Sequence, residues 1–291
     1  MYIIAKKDKR CIMTKNRSVF PSRIVIELTP LCDLSCSMCP RHIVDKHSGY
    51  MKFELWKKLI DEIKEKNPDA IVLPFWRGES LLHKEFIKFS EYAIQQNIRL
   101  HISTNGHFVV DKKAEVLSLY EFITFSLHTT KGFENALKFV SEYKTQNNII
   151  QASFVDCEEE MKEHFQRLTD SEDLFGFDAI RLYEEHSKEG KFGFTGKEIF
   201  QPRYFCPKLN DSLVIAFDGK ISRCNHIWNC EAYNLQETSI QKAWDSVVLK
   251  EIQVNYPDNL CMPCDQWAGN TNGKVWKKEN GKIIKSLKGN S

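Results

Sequence analysis

From residue 24 onward, short apolar runs alternate with longer stretches in which apolar residues return every three or four positions. The runs "IVIEL", "AIVLPFW", "RLHIST", "FITFSLH", "IIQASFV" and "AIRLY" have the length and residue types of strands. Between them lie five amphipathic helical patterns. The first, "KFELWKKLIDEIKEK", puts Phe53, Trp56, Leu59, Ile60 and Ile63 on one face. The others are "HKEFIKFSEYAIQQN", "DKKAEVLSLY", "KGFENALKFVSEYKTQ" and "EEEMKEHFQRL". The strands look continuously apolar, as expected where both faces of a parallel sheet are covered. Such alternation predicts parallel strands joined by helical crossovers. It ends near residue 185, too early for a closed eight-unit barrel of about 250 residues. The predicted fold is therefore α/β, a partial (β/α)6 TIM-like barrel, with a doubly wound sheet as the alternative.

Past residue 190 the texture changes. "SLVIAFDGKISRC" has the form of a hairpin turning at Asp218-Gly219. "TSIQKAWDSVVLKEIQVNY" follows as a helix with Thr238 or Ser239 as N-cap. The expected organisation is an N-terminal extension over 1–20, the partial barrel over 21–200, and a small hairpin-plus-helix domain over 201–270. A basic stretch, 271–291, is expected as a solvated tail.

Composition narrows the setting. Of 291 residues 42% are hydrophobic and the net charge is +2, so a large core is available and no strong pull on nucleic acid or anionic lipid follows. No apolar run approaches the roughly 20 residues of a membrane helix, and the first 20 residues show no signal-peptide pattern. The expectation is a cytoplasmic protein that binds neither nucleic acid nor membrane. In that compartment ten cysteines point to metal ligation or catalysis rather than disulfides.

Three of them stand in "CDLSCSMC", immediately after the first strand, where ligands gather in parallel α/β folds. Cys32, Cys36 and Cys39 can ligate a four-iron cluster and leave one iron open. Zinc is the competing reading, with His42 or His47 as fourth ligand. Cys11 and Cys157 are isolated and expected as small buried or partly buried thiols.

The loop resembles that of the radical S-adenosylmethionine enzymes, in which the cysteines are spaced by three residues and then two. That resemblance implies S-adenosylmethionine on the open iron, cleaved to a deoxyadenosyl radical that removes a hydrogen atom from substrate. It extends to "WRGESLL", similar to the family's glycine-rich segment, where Gly78 and Glu79 would meet the methionine amino group. Arg77 and Ser80 depart from the family's glycine and proline there. It extends also to "STNG" and "TFSLH", which by the same likeness make Ser103, Asn105 and Ser126 cofactor contacts, and to Met38, placed against the adenine.

Cys206 and Cys224 flank the hairpin, and Cys261 and Cys264 form "CMPC". Four such thiols can surround a cluster or bind zinc, and by spacing alone zinc is the more common outcome. The stretch resembles the short, twitch-type (SPASM-like) auxiliary extension of some radical S-adenosylmethionine enzymes, including the 2-deoxy-scyllo-inosamine dehydrogenases. In that extension a glycine stands four residues ahead of a cysteine, as Gly219 stands ahead of Cys224. The likeness implies a second [4Fe–4S] cluster on Cys206, Cys224, Cys261 and Cys264, leaving Cys230 over. It also implies a reductant such as flavodoxin or ferredoxin. Substrate contacts are expected at the ends of strands four to six, from His128, Arg181, Tyr183 and Glu185. The expected reaction is oxidation of a sugar or aminocyclitol alcohol. Modification of a ribosomally made peptide and a non-enzymatic zinc module are the alternatives.

Overall fold

The computed structural model describes residues 18–39, 41, 48–156, 158–183, 206, 208–226, 231–246, 273–279 and 282–286. Six strands form in the expected places: β1 (Arg23–Ile26), β2 (Ile71–Leu73), β3 (Arg99–Thr104), β4 (Phe122–Ser126), β5 (Ile149–Val155) and β6 (Ala179–Tyr183). The crossovers between them carry α1 (Phe53–Lys66), α2 (Phe86–Gln95), α3 (Asp111–Leu117), α4 (Thr130–Glu142) and α5 (Lys162–Asp170). Each consecutive pair from β1 to β6 is parallel.

The strand order within this part, β6-β5-β4-β3-β2-β1, is strictly sequential. A doubly wound sheet reverses order at a switch point. None occurs here, so the helices cover one face and the other face becomes a lumen. The sheet is mixed, large and open, a partial barrel. The outer core lies between strands and helices. Leu55, Trp56, Leu59, Ile60 and Ile63 of α1 are buried there at helical spacing, each such side chain contributing about 1.5–3 kcal/mol.

The strands are not continuously apolar. In β3 to β6 Leu100, Ile102, Ile123, Phe125, Ile150, Ala152, Phe154 and Ile180 join the outer core. The alternate positions are His101, Ser103, Thr124, Ser126, Gln151, Ser153 and Arg181. By the period of two these line the lumen. The lumen wall on the β1 and β2 side is different, an apolar cluster of Val25, Leu73 and Val214 with Ile71, Phe75 and Trp76 packed on it.

The hairpin at Asp218-Gly219 forms as β7 (Ser212–Ile215) and β8 (Lys220–Ser222), followed by β9 (Glu231–Asn234). β7 pairs in parallel with β1, so the barrel sheet runs across the boundary expected at residue 200. Two more helical segments follow the barrel: α6 (Lys208–Asp211) and α7 (Ile240–Trp244). Ser239 caps α7 through its side chain; the helix ends at Trp244 with Asp245 as its C-cap, and positions 247–256 of the longer expected helix lie outside the described residues. The basic stretch near the C-terminus is not a solvated tail over its described part. It supplies β10 (Gly273–Glu279) and β11 (Lys282–Ser286), an antiparallel hairpin whose first strand pairs with β6. Val275 and Trp276 are buried in the process. No helix among the described residues is long and apolar enough to cross a membrane.

Candidate functional site

β1 ends beneath the cysteine loop. Thr29, buried, donates its hydroxyl to Gly49 O at 2.7 Å and accepts from Leu31 N at 3.2 Å, which turns the chain out of the strand. Arg41 then reaches back and donates to Cys32 O at 3.3 Å and Leu34 O at 2.6 Å. Cys32, Cys36, Met38 and Cys39 are all half-buried on this loop. Burial pushes the Cys36 thiol up to about 12, with the charge of Glu158 and then Cys39 and Cys32 adding to the shift. Burial also raises Cys32. Cys36 lies close enough to Cys39 and Cys32 to feel the charge of both, and the three thiols form a soft-donor set on one short loop. That set fits a cluster with one iron left open.

The glycine-rich segment packs directly on this loop. A Cβ at Gly78 would sit 2.4 Å from Leu31 O and 2.5 Å from Thr29 O, so only glycine fits. Glu79 N donates to Leu31 O at 2.7 Å. The Glu79 side chain turns inward and accepts from Leu81 N, Thr104 Oγ1 and Asn105 N at 3.0, 3.0 and 2.8 Å. The two departures from the family pattern have local explanations. Arg77 is buried in an ion pair with Glu27, at 2.8 and 2.6 Å. Ser80 Oγ donates to Pro74 O at 2.5 Å.

Ser103 and Ser126 meet across β3 and β4, Oγ to Oγ at 2.8 Å, and Ser153 adds a third hydroxyl at 3.5 Å. Asn105 Nδ2 donates to Asp33 at 2.8 Å and lies 3.9 Å from the Cys32 sulfur. His128, just past β4, is held through Nδ1 by both oxygens of Glu158, at 2.8 and 2.9 Å. Donor atoms of Cys36, His128 and Glu158 all lie within 4.8 Å of one another. Arg181 lies over the Tyr183 ring at 4.7 Å; burial raises the Tyr183 phenol, and Arg181 partly offsets this. Glu185 lies outside the described residues, as do Cys261, Cys264, Cys230, Cys11, Cys157, His42 and His47.

Cys206 is buried and Cys224 half-buried. Their segments are joined by Lys208 Nζ and His226 Nε2 at 2.8 Å. Trp76, on the apolar lumen wall, donates from Nε1 to Asn225 O at 2.9 Å, next to Cys224. Sequence reasoning missed Glu158, Asp33 and His107, because their partners are distant in the chain.

Residues 26–152 match the family model of the Radical SAM superfamily. By this match residues 26–152 carry a radical S-adenosylmethionine domain. The domain implies one [4Fe–4S] cluster and S-adenosylmethionine. An S-adenosylmethionine-dependent nucleotide dehydratase of Selenomonas ruminantium is 32% identical over 92 residues, 31% of this chain and 32% of that protein. A tungsten-containing aldehyde ferredoxin oxidoreductase cofactor-modifying protein of Pyrococcus furiosus is 29% identical over 117 residues, 39% of this chain and 33% of that protein. The chain thus spans about a third of the length of the curated relatives it matches. Among solved structures, BtrN in complex with AdoMet and 2-DOIA aligns over 86% of this chain and 92% of its own at TM-score 0.54 and 17% identity. Streptococcus suis SuiB bound to precursor peptide SuiA aligns over 91% and 74% at TM-score 0.64 and 15% identity. At these identities the likeness shows the fold.

Proposed function

We propose that this enzyme oxidises an alcohol of a small polar substrate, a sugar or aminocyclitol, by hydrogen-atom abstraction. The observation that carries the reading is the two-faced lumen under the cysteine loop. Hydroxyl, amide and guanidinium groups of Ser103, Ser126, Ser153, Gln151 and Arg181 face one way, and Val25, Leu73, Val214 and Trp76 the other. A ring with hydroxyls on one side and C–H bonds on the other suits such walls. The likeness to BtrN, whose crystal holds 2-DOIA, supports the same class.

Once bound, the cluster and S-adenosylmethionine supply the radical that takes the hydrogen atom. The chain's own residues bind and orient. Cys32, Cys36 and Cys39 would hold the cluster. Gly78 and the backbone of Glu79 would receive the methionine amino group, Ser103, Asn105 and Ser126 the ribose and carboxylate, and Met38 the adenine. His128 donates Nδ1–H to Glu158, which leaves Nε2 to accept the substrate's hydroxyl proton as the carbonyl forms. Arg181, Tyr183 and Glu185 would meet the substrate from the end of β6. Cys206, Cys224, Cys261 and Cys264 would hold a second cluster, whose chemistry there would be that of an electron acceptor, and a flavodoxin or ferredoxin would be the reductant. The 201–270 segment would then act as an auxiliary domain and the protein would work in the cytoplasm. A peptide substrate is the second reading, favoured by the likeness to SuiB with its bound precursor peptide.

Iron and sulfide analysis of anaerobically purified protein tests this directly. About eight irons per chain are expected from two four-iron clusters. Replacing Cys32, Cys36 and Cys39 by Ala should abolish deoxyadenosine formation. Replacing Cys261 and Cys264 should remove about four irons and spare the first cluster. Zinc without sulfide would end the reading.

A further inference from the structure

We infer that His107 is a positioning residue for the cysteine loop, acting through Asp33 to hold the segment between Cys32 and Cys36 against a rigid platform. This rests on the reading of Cys32, Cys36 and Cys39 as cluster ligands.

His107 follows the "STNG" turn and sends its ring toward the loop. Its Nδ1 lies 2.6 Å from Asp33 Oδ2. The other oxygen of Asp33 accepts from Asn105 Nδ2 at 2.8 Å. On the far side of the ring, Nε2 lies 2.5 Å from Thr129 Oγ1. The Thr129 oxygen already accepts from Gly132 N at 3.1 Å, the cap of α4. Its hydroxyl hydrogen is therefore free to be donated to Nε2. That leaves the hydrogen on Nδ1, pointing at Asp33. One tautomer satisfies the whole chain of contacts. The side chains of His107 and Asp33 are 12% and 24% exposed.

The platform behind His107 is stiff. Gly106 has φ +82°, and a Cβ there would lie 2.8 Å from Gly132 O. A Cβ on Gly132 would lie 2.3 Å from Asn105 O. The turn after β3 and the first turn of α4 thus touch backbone to backbone. Asn135 Nδ2 closes the contact on Gly106 O at 2.9 Å. Arg41 braces the loop by its carbonyls at Cys32 and Leu34; His107 braces it by the side chain between the first two cysteines. A thiol set carried on a loop keeps its geometry only if such outer contacts fix the loop.

Three variants separate this role from simple packing. His107→Ala loses both ring contacts. His107→Asn keeps an N–H donor where Nδ1 was and loses the Thr129 contact. His107→Gln places its amide where Nε2 was and loses the Asp33 contact. The readouts are the rate of iron loss to a chelator from the reconstituted, non-turning-over protein and the electron paramagnetic resonance spectrum of the reduced cluster. His107→Ala and His107→Gln should lose iron about 10-fold faster or more, the range seen when an outer partner of a metal ligand is removed. Both should shift the spectrum. His107→Asn should lose iron near the wild-type rate with a wild-type spectrum. If asparagine is no better than glutamine, or alanine matches wild type, the positioning role is wrong and the cluster assignment stands. If the wild-type protein itself takes up no iron and sulfide, the cluster assignment fails and this inference with it.

Discussion

Glu79 carries a carboxyl group only 3% exposed, and its environment sets an opposing pair of effects. Burial pushes the group up to about 7 from an ordinary 4.5, while bonds from Asn105 N, Leu81 N and Thr104 pull the other way. The sign of the consequence follows from which state holds the proton longer. Below about pH 4.5 both folded and unfolded chains are protonated here, and the contribution is fully present. As pH rises from 4.5 to 7 the unfolded chain releases its proton first, so stability falls. Above 7 both states are ionised and the dependence ends. The loss across the window should be on the order of 3 kcal/mol. Denaturant unfolding at several pH values, wild type against Glu79→Gln, isolates it: the difference in stability between the two should move across this window. A constant difference would mean that the three donors hold Glu79 ionised throughout.

Glu27 and Arg77 act on a larger unit, because their ion pair ties three elements together. Glu27 follows β1, and its oxygens accept from Arg77 Nε and Nη2, from Arg77 N at 3.3 Å, and from Phe217 N at 3.3 Å in the turn between β7 and β8. The side chains are 0% and 2% exposed. Glu27→Gln leaves a buried guanidinium without its counter-charge and should cost about 3–5 kcal/mol, read as a lowered denaturant midpoint. A midpoint within error of wild type would show that the guanidinium finds another anion. This pairing was not legible beforehand, since the partners stand 50 positions apart and neither has a local signature. Helices and strands were legible, because burial on one face imposes a period that local sequence repeats. The polar lumen was legible in principle too: Ser103, Thr124, Gln151 and Arg181 occupy alternate positions, but the apolar residues between them made each run look uniform. His107 and Asp33, 74 residues apart, meet only through the fold. The final hairpin did announce itself. Asn280-Gly281 between "KVWKKE" and "KIIKS" is a strong two-residue turn signal, overshadowed by the density of lysines.

That hairpin matters most for the molecule as a whole. An open barrel has two edges, and each exposes unpaired backbone donors and acceptors. Here the chain covers both from its last third: β7 lies along β1, and β10 along β6. β6 carries Arg181 and Tyr183, two of the residues proposed to meet the substrate. β10 pairs with them directly, Val275 opposite Arg181 and Gly273 opposite Tyr183. Trp276 fastens the strand from the outer side, edge-on to Phe165 at 5.1 Å and beneath Lys285 Nζ at 5.1 Å. Trp276→Ala should cost about 3–5 kcal/mol, as for a large buried aromatic. Removing residues 273–291 should do more: it strips the β6 edge and leaves it open to pairing with a second copy. The truncated protein should therefore unfold at lower denaturant than Trp276→Ala and elute larger in size-exclusion chromatography. A truncated chain that elutes as the wild type does, with the wild-type midpoint, would show that β6 needs no neighbour, and the hairpin would then be an appendage rather than the cover of the β6 edge.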